Sequence, residues 1–181
     1  MARTFDKKHI GTIFFPLLCL LLSFFILLSD SHFTYSLLEK NESIQPTKEL
    51  MNYFIGKGQM PEVFNAEEQS HLQDVKQIIR FTFIALLMTI LLLLYSGYNA
   101  KAGTIILLCI LAAAVIIPFD ALFTKFHQIF FPQGNWTFAV DSTLITFYPQ
   151  NFFSTYALST AIFAVFIALI LIHFKIVSRR G

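Results

Sequence analysis

FTFIALLMTILLLLYSGYNA (Phe81–Ala100), the single charge of Lys101, then AGTIILLCILAAAVIIPF (Ala102–Phe119): this stretch decides the fold. Two uncharged runs of 20 and 18 residues stand on either side of one cation. A helix rises about 1.5 Å per residue, and about 20 apolar residues cross the roughly 30 Å hydrocarbon core. Ile10–Leu28 and Phe152–Phe174 add uncharged runs of 19 and 23 residues. Backbone inside lipid must satisfy its own N–H and C=O groups, so all four runs are expected as helices. The composition agrees. Of 181 residues 56% are hydrophobic, only 13% are charged, and 22 are Phe, more apolar surface than a soluble domain of this size can hide. The sequence therefore predicts an all-α membrane protein, a single integral-membrane domain over residues 1–181. Its four transmembrane helices are expected at about 10–28, 81–100, 102–119 and 152–174, with Pro16 and Pro118 near helix starts or ends.

Orientation follows from the cations. Arg3, Lys7, Lys8, Lys101, Lys175, Arg179 and Arg180 fall in the two tails and the turn after Tyr98, against one acid, Asp6. The opposite side carries Lys40, Lys48, Lys57, Lys76, Arg80 and Lys125 against ten acids. Lys and Arg collect on the cytoplasmic side. Both termini are thus expected inside, and segments 29–79 and 120–151 outside, as a small cap on the extracellular face. The first run follows basic residues, as a secretory signal does. Leu28-Ser29-Asp30-Ser31-His32 lacks a small-residue cleavage pattern, so an uncleaved first helix is expected. Cys19 and Cys109 lie mid-span, where thiols behave as small hydrophobes, and neither a disulfide framework nor a cysteine nucleophile is expected. Asn41-Glu42-Ser43 and Asn135-Trp136-Thr137 match a glycosylation pattern too short to carry weight. No serine elbow, Gly-rich phosphate loop or basic nucleic-acid patch occurs, so no nucleic-acid partner is expected.

The two outer segments have structure of their own. Lys48–Phe54 reads as helix with Leu50, Met51 and Phe54 on one side, broken by Gly56 and Gly58. Asn65 is placed as an N-cap with Glu68 at the third helical position, close to a capping box. Leu72, Val75 and Ile79 then keep helical spacing into the second span. His71 sits beside that stripe, with Glu68 and Asp74 three residues to either side as neighbours on the helix surface. In the second segment Phe119, Phe123, Phe126 and Phe130 form one helical face, and His127 is flanked by Phe123, Phe130 and Phe131. Pro132 and Gly134 end that element. A turn-rich stretch with Trp136 and Phe138 follows, and Tyr148-Pro149 leads into the last span.

Imidazole is the side chain whose ordinary pKa lies nearest neutrality, so it accepts and returns a proton under ordinary conditions. His71 and His127, in aromatic settings on one side of a membrane, point to acid–base chemistry on a lipid-bearing substrate. Plainer readings stand beside this one. His71 serves equally as a polar residue on a solvated helix face, and His127 as a core histidine bonded to a backbone carbonyl. A metal site across the two segments, with Glu68 or Asp120, lacks the close His-Glu-x-x-His pairing such sites usually show. A non-catalytic membrane protein, whether transporter subunit, assembly factor or metal sensor, is the alternative of a different class. No span carries Asp, Glu, Lys or Arg, the usual mark of an ion path.

Phe64, Glu68, His71-Leu72 and Asp74-Val75-Lys76, then Phe126-His127 with Phe130-Phe131, Trp136, Leu144-Ile145 and Pro149 with Phe152-Phe153, resemble the bacterial lipoprotein intramolecular transacylase family. The resemblance runs along essentially the whole chain. It implies a diacylglyceryl-modified lipoprotein with a free N-terminal cysteine as substrate. The acyl chain on the sn-2 glyceryl oxygen moves to the α-amino nitrogen, leaving a lyso-form lipoprotein. It also implies a multi-pass protein of the bacterial cell membrane, in contact with membrane lipid, with its active site at the extracellular face.

The residues suit that chemistry. Nucleophile and electrophile belong to one molecule, so no covalent protein nucleophile is needed, and the protein's task is to bring amine and ester together. Ester to amide is downhill, so no cofactor is expected. An α-amino group has a pKa of about 7.7–8.0 and His about 6.5, so proton transfer between them is uphill by roughly 2 kcal/mol. One histidine is expected as general base, the other to stabilise the oxyanion or protonate the leaving oxygen. Glu68 and Asp74 favour His71 as the base, with the reverse open. Trp136 and Tyr148 are candidate hydrogen-bond donors, and Phe123, Phe126, Phe130, Phe131 and Phe152 candidate walls for the substrate.

Overall fold

A computed structural model of the chain describes residues 7–177. Arg3, Asp6, Arg179 and Arg180, which enter the charge count above, lie outside the described residues. Among the described residues all regular structure is helical: α1 (Lys7–Ser29), α2 (Ser31–Ser36), a 3₁₀ turn (Asn41–Ser43), α3 (Ile44–Phe54), α4 (Ala66–Ser96), α5 (Ala100–Ile116), α6 (Phe119–Phe130), α7 (Thr143–Phe147) and α8 (Gln150–Val177).

Helices α1, α4 and α8, of 23, 31 and 28 residues, are each long and apolar enough to cross a membrane. The third run is shorter than its composition suggests. Helix α5 holds 17 residues and stops at Ile116, because the residue before a proline is driven out of the α region, and Ile117 is extended with ψ 127°. The described residues thus hold three helices long and apolar enough to span, or four if α5 and α6 together count as one broken span. The second and third runs part at 97–99 rather than at Lys101. Gly97 takes φ +66°, a left-handed conformation without steric penalty only for glycine. Asn99 caps α5 by accepting the Ala102 N–H at 3.3 Å, which places Lys101 in the first turn of α5. Pro16 lies inside α1 and not near an end. Its missing N–H takes one bond out of the ladder at Thr12.

The chain divides into two compact units. The first comprises residues 7–26, 82–117 and 158–177. Its core is Phe15, Cys19, Leu93, Ala100, Leu107, Ala164, Ile167 and Ala168. Small residues let its helices approach closely, as membrane helices do: a Cβ added to Gly103 would lie 2.6 Å from the Phe15 ring. Polar groups here bond across helices. Ser23 Oγ donates to the Thr160 carbonyl at 2.9 Å, and Thr12 Oγ1 accepts the Asn99 N–H at 2.9 Å. Outward residues are apolar too. Leu94, Val115 and Ile116 are 78%, 83% and 83% exposed, the pattern of helices that face lipid.

The second unit comprises residues 27–81 and 118–157. Leu50, Phe64, Leu72, Leu144, Phe147 and Tyr148 form its core, from α3, the start of α4, and the segment from α7 to the entry of α8. Helix α3 begins four residues earlier than the sequence suggests and ends before Gly56, at φ +79°. The Phe face expected from 119 to 130 forms α6, closed by Gly134 at φ +82°. Helices α2 and α7 are too short for any periodicity to announce. Each starts at a capping side chain, Asp30 accepting from Phe33 and Ser142 accepting from Ile145.

Candidate active site

The site lies within the second unit and is built on the first turns of α4. Asn65 Oδ1 accepts the N–H groups of Glu67 and Glu68, each at 3.0 Å. Glu68 Oε2 returns the bond by accepting the Asn65 N–H at 2.9 Å. This reciprocal pair is the capping box expected from the sequence. Glu68 is 0% exposed, and its second oxygen accepts the Leu144 N–H at 2.8 Å. The carboxylate thereby braces the start of α7 against the start of α4. Nearly two turns further on, Asp74 Oδ2 accepts from Gln133 Nε2 at 2.8 Å and Asn135 Nδ2 at 2.7 Å. Asn135 Nδ2 also donates to Ser70 Oγ at 3.3 Å. Ser70 and Asp74 share one face of α4, so these bonds tie the loop after α6 to that face.

Between these two carboxylates stands His71. Its ring lies 5.9 Å from that of His127, inclined by 24°. Phe131 touches both, at 4.5 Å from His71 and 5.3 Å from His127. Phe138 lies 5.5 Å from His71. Around His127 are Phe123 at 4.1 Å, Trp136 at 4.9 Å and Phe126 at 5.4 Å. The histidines are 7% and 8% exposed. His127 Nδ1 donates to the Phe123 carbonyl at 2.8 Å. A carbonyl only accepts, so Nδ1 carries the proton and the neutral ring keeps its lone pair on Nε2. His71 Nδ1 is buried with no hydrogen-bond partner.

Both imidazoles stand outside the apolar runs, one on the charged first turns of α4 and one on α6. Both resist protonation. Burial is the main cause for His71, the neighbouring His127 adds to it, and Asp74 pulls the other way, leaving a pKa of about 4. Burial also lowers His127, opposed by the Phe123 carbonyl, which favours the charged ring. At neutral pH the site therefore holds two uncharged imidazoles.

Trp136 is the chain's one tryptophan and lies against His127, so its fluorescence reports charge on that ring. The quenching midpoint on acidification is expected below the 6.5 of a free imidazole; a midpoint at or above 6.5 contradicts a buried pair. Stability moves with it. Between pH 6.5 and about 4 an unfolded His71 binds a proton that the folded one does not, so this unit loses stability as pH falls through that window.

Of the residues singled out in the sequence, Phe123, Phe126, Phe131 and Trp136 do gather with the two histidines. Phe130 instead packs on Phe126 at 4.8 Å and is 50% exposed. Phe152 meets Tyr148 and Phe153 edge to face, each at 5.3 Å. The Tyr148 hydroxyl lies 2.8 Å from Thr47 Oγ1. Thr47 donates its own proton to the Ser43 carbonyl, so Tyr148 is the donor between the two, and burial pushes its hydroxyl up to about 12. Sequence reasoning missed Phe138, Gln133 and Asn135 as site residues. Trp136 and the turn signals of Pro132 and Gly134 marked the loop that carries them, but not these three side chains. Among the described residues no cluster of three His, Cys, Asp or Glu forms a metal-ligand set.

The family model described as lipoprotein intramolecular transacylase Lit matches residues 9–153. No curated protein matches the chain. Among solved structures, the in meso structure of the membrane integral lipoprotein intramolecular transacylase Lit from Bacillus cereus is similar with a TM-score of 0.76 at 17% identity, over 96% of each chain. A second structure of that protein, carrying a histidine-to-arginine mutation, gives a TM-score of 0.70 at 18% identity, over 96% of this chain and 92% of the other. At such identity these two speak for the fold. The family match covers most of the sequence, and the chain belongs to the lipoprotein intramolecular transacylase family.

Proposed function

We propose that the protein moves the sn-2 acyl chain of a diacylglyceryl-modified lipoprotein to the α-amino nitrogen of its N-terminal cysteine, by acid–base catalysis at His71 and His127. One observation carries the reading: two buried, nearly parallel imidazoles 5.9 Å apart, one with its lone pair fixed on Nε2. The cation count supports cytoplasmic termini, with the histidines in an outer cap. The chain then acts as one integral-membrane domain of the bacterial cell membrane.

His127 is the base in this scheme. Its protonated form is favoured by the Phe123 carbonyl that Nδ1–H already meets, whereas a charge on His71 would be buried with Nδ1 unpartnered. Neither Glu68 nor Asp74 hydrogen-bonds His71; both serve other partners. The fixed tautomer of His127 therefore outweighs the two carboxylates near His71. The amine lone pair attacks the sn-2 ester carbon, and the carbonyl π electrons move to its oxygen. The proton on the attacking nitrogen passes to His127 Nε2. Neutral His71 donates an N–H to the oxyanion. Collapse restores the carbonyl and breaks the bond to the glyceryl oxygen, which takes the proton from His127. The product carries an amide on the cysteine, a free glyceryl hydroxyl and the remaining ester.

A depressed imidazole pKa suits this sequence of events. The ring is neutral at rest, and once charged it is a strong acid for the leaving oxygen. Phe123, Phe126, Phe131 and Trp136 supply a rigid apolar wall for the lipid end of the substrate.

The test is mass spectrometry of a reporter lipoprotein's N-terminal peptide, in a host without N-acyltransferase that expresses this protein. Expected is one acyl chain on the cysteine nitrogen with total acyl mass unchanged. Persistence of the diacylglyceryl form beside well-inserted protein contradicts the reading.

A further inference from the structure

The loop after α6 and the start of α4 enclose a cleft of about 490 Å³, within the size of a small-ligand site. Glu67, Ser70, Gln133, Asn135, Thr137 and Phe138 line it. Beside Ala66 and the Phe138 ring its walls carry two amides, two hydroxyls and one carboxylate, more polar groups than the rings around His127 offer. The two surroundings meet at Phe138, which lines the cleft and lies 5.5 Å from the His71 ring.

One atom of Asn135, a residue on the wall of this cleft, lacks a donor. Asn135 Nδ2 donates to Asp74 at 2.7 Å and to Ser70 at 3.3 Å. A carboxylate only accepts, so the amide must turn its NH₂ towards Asp74 and cannot flip. Its Oδ1 is thereby fixed, buried and without a hydrogen-bond partner. Left unpaired, a buried acceptor is costly, and an arriving N–H group would recover that cost.

The substrate of the proposed reaction sends out two kinds of chain from its reacting centre. Acyl chains offer nothing to an amide or a hydroxyl. A polypeptide offers one N–H per residue. We propose that this cleft is the polypeptide subsite, which takes the peptide following the modified cysteine, with Asn135 Oδ1 accepting the N–H of the first peptide bond. The assignment rests on the transacylase reading. Asp74 acts in it as a positioning residue, orienting Asn135 without touching substrate.

The test uses the full-length purified protein and two synthetic diacylglyceryl-cysteinyl lipopeptides. They differ only in the first peptide bond, an amide in one and its ester isostere, with oxygen in place of N–H, in the other. Wild type is expected to show kcat/KM about tenfold higher on the amide, the size of one hydrogen bond. Asn135→Ala is expected to lose about tenfold on the amide and to treat the two peptides alike. Equal rates with wild type overturn the subsite, as does an undiminished preference in Asn135→Ala. The wild-type ratio decides the matter even if that variant fails to fold. No transfer on either peptide by wild type overturns the transacylase reading and the subsite with it, an outcome distinct from equal transfer, which removes the subsite alone.

Discussion

His127→Asn lowers acyl transfer by about 10²–10⁴-fold, the range of a lost general base, while the protein still inserts and folds. Asparagine keeps an N–H for the Phe123 carbonyl that His127 now satisfies at 2.8 Å, so the loss reads the missing proton acceptor rather than an orphaned backbone group. His71→Asn is expected to behave differently. If His71 acts only as an N–H donor to the oxyanion, asparagine retains part of that role, and the loss is smaller than at position 127. Lipid-shift assays of the two variants check this at equal membrane abundance. A silent His127→Asn removes the mechanism; a larger loss at His71 than at His127 reverses the two roles.

Glu68→Leu has the largest expected effect on stability. The buried carboxylate accepts the backbone N–H of Asn65 at 2.9 Å and that of Leu144 at 2.8 Å. Leucine leaves both without an acceptor, at about 1–3 kcal/mol each. A loss of about 2–6 kcal/mol follows, against typical total stabilities of about 5–15 kcal/mol. Glu68→Gln keeps one carbonyl oxygen and is expected to fall between the two. Thermal unfolding in detergent, followed by Trp136 fluorescence, gives the order wild type, Gln, Leu. A Glu68→Leu protein that melts with wild type shows that the brace between α4 and α7 carries no weight.

Legibility in the sequence followed distance along the chain. The spans were readable because an unbroken lack of charge over about twenty residues has few physical outcomes. The Asn65–Glu68 box was readable because all of its parts lie within four residues. His127 among phenylalanines was readable because Phe123, Phe126 and Phe131 all lie within four residues of it. The stop of α5 before Pro118 was written locally too, although the apolar run hid it. What stayed hidden were bonds between distant residues. Asp74 meets Gln133 and Asn135 across 59 and 61 positions, and Tyr148 meets Thr47 across 101. No period or spacing encodes such a pairing, so Asp74 read as a partner of His71 and Tyr148 as a donor to the site. Both side chains have hydrogen-bond partners elsewhere in the second unit. The approach of the two imidazoles depends on that same long-range packing. The cation count predicts one side of the membrane for both, and only the fold brings them to 5.9 Å.

A crossover experiment tests the central claim most directly. Two diacylglyceryl-cysteinyl lipopeptides are mixed with wild-type protein, one with a deuterated sn-2 acyl chain and one with an isotopically heavy peptide. Mass spectrometry of the N-acylated products then asks which chain joined which peptide. Transfer within one substrate, with His127 moving the proton, His71 holding the oxyanion and no acyl group resting on the protein, predicts only the uncrossed products. A substantial share of deuterated acyl chain on the heavy peptide would show the acyl group passing between molecules, and would contradict the account.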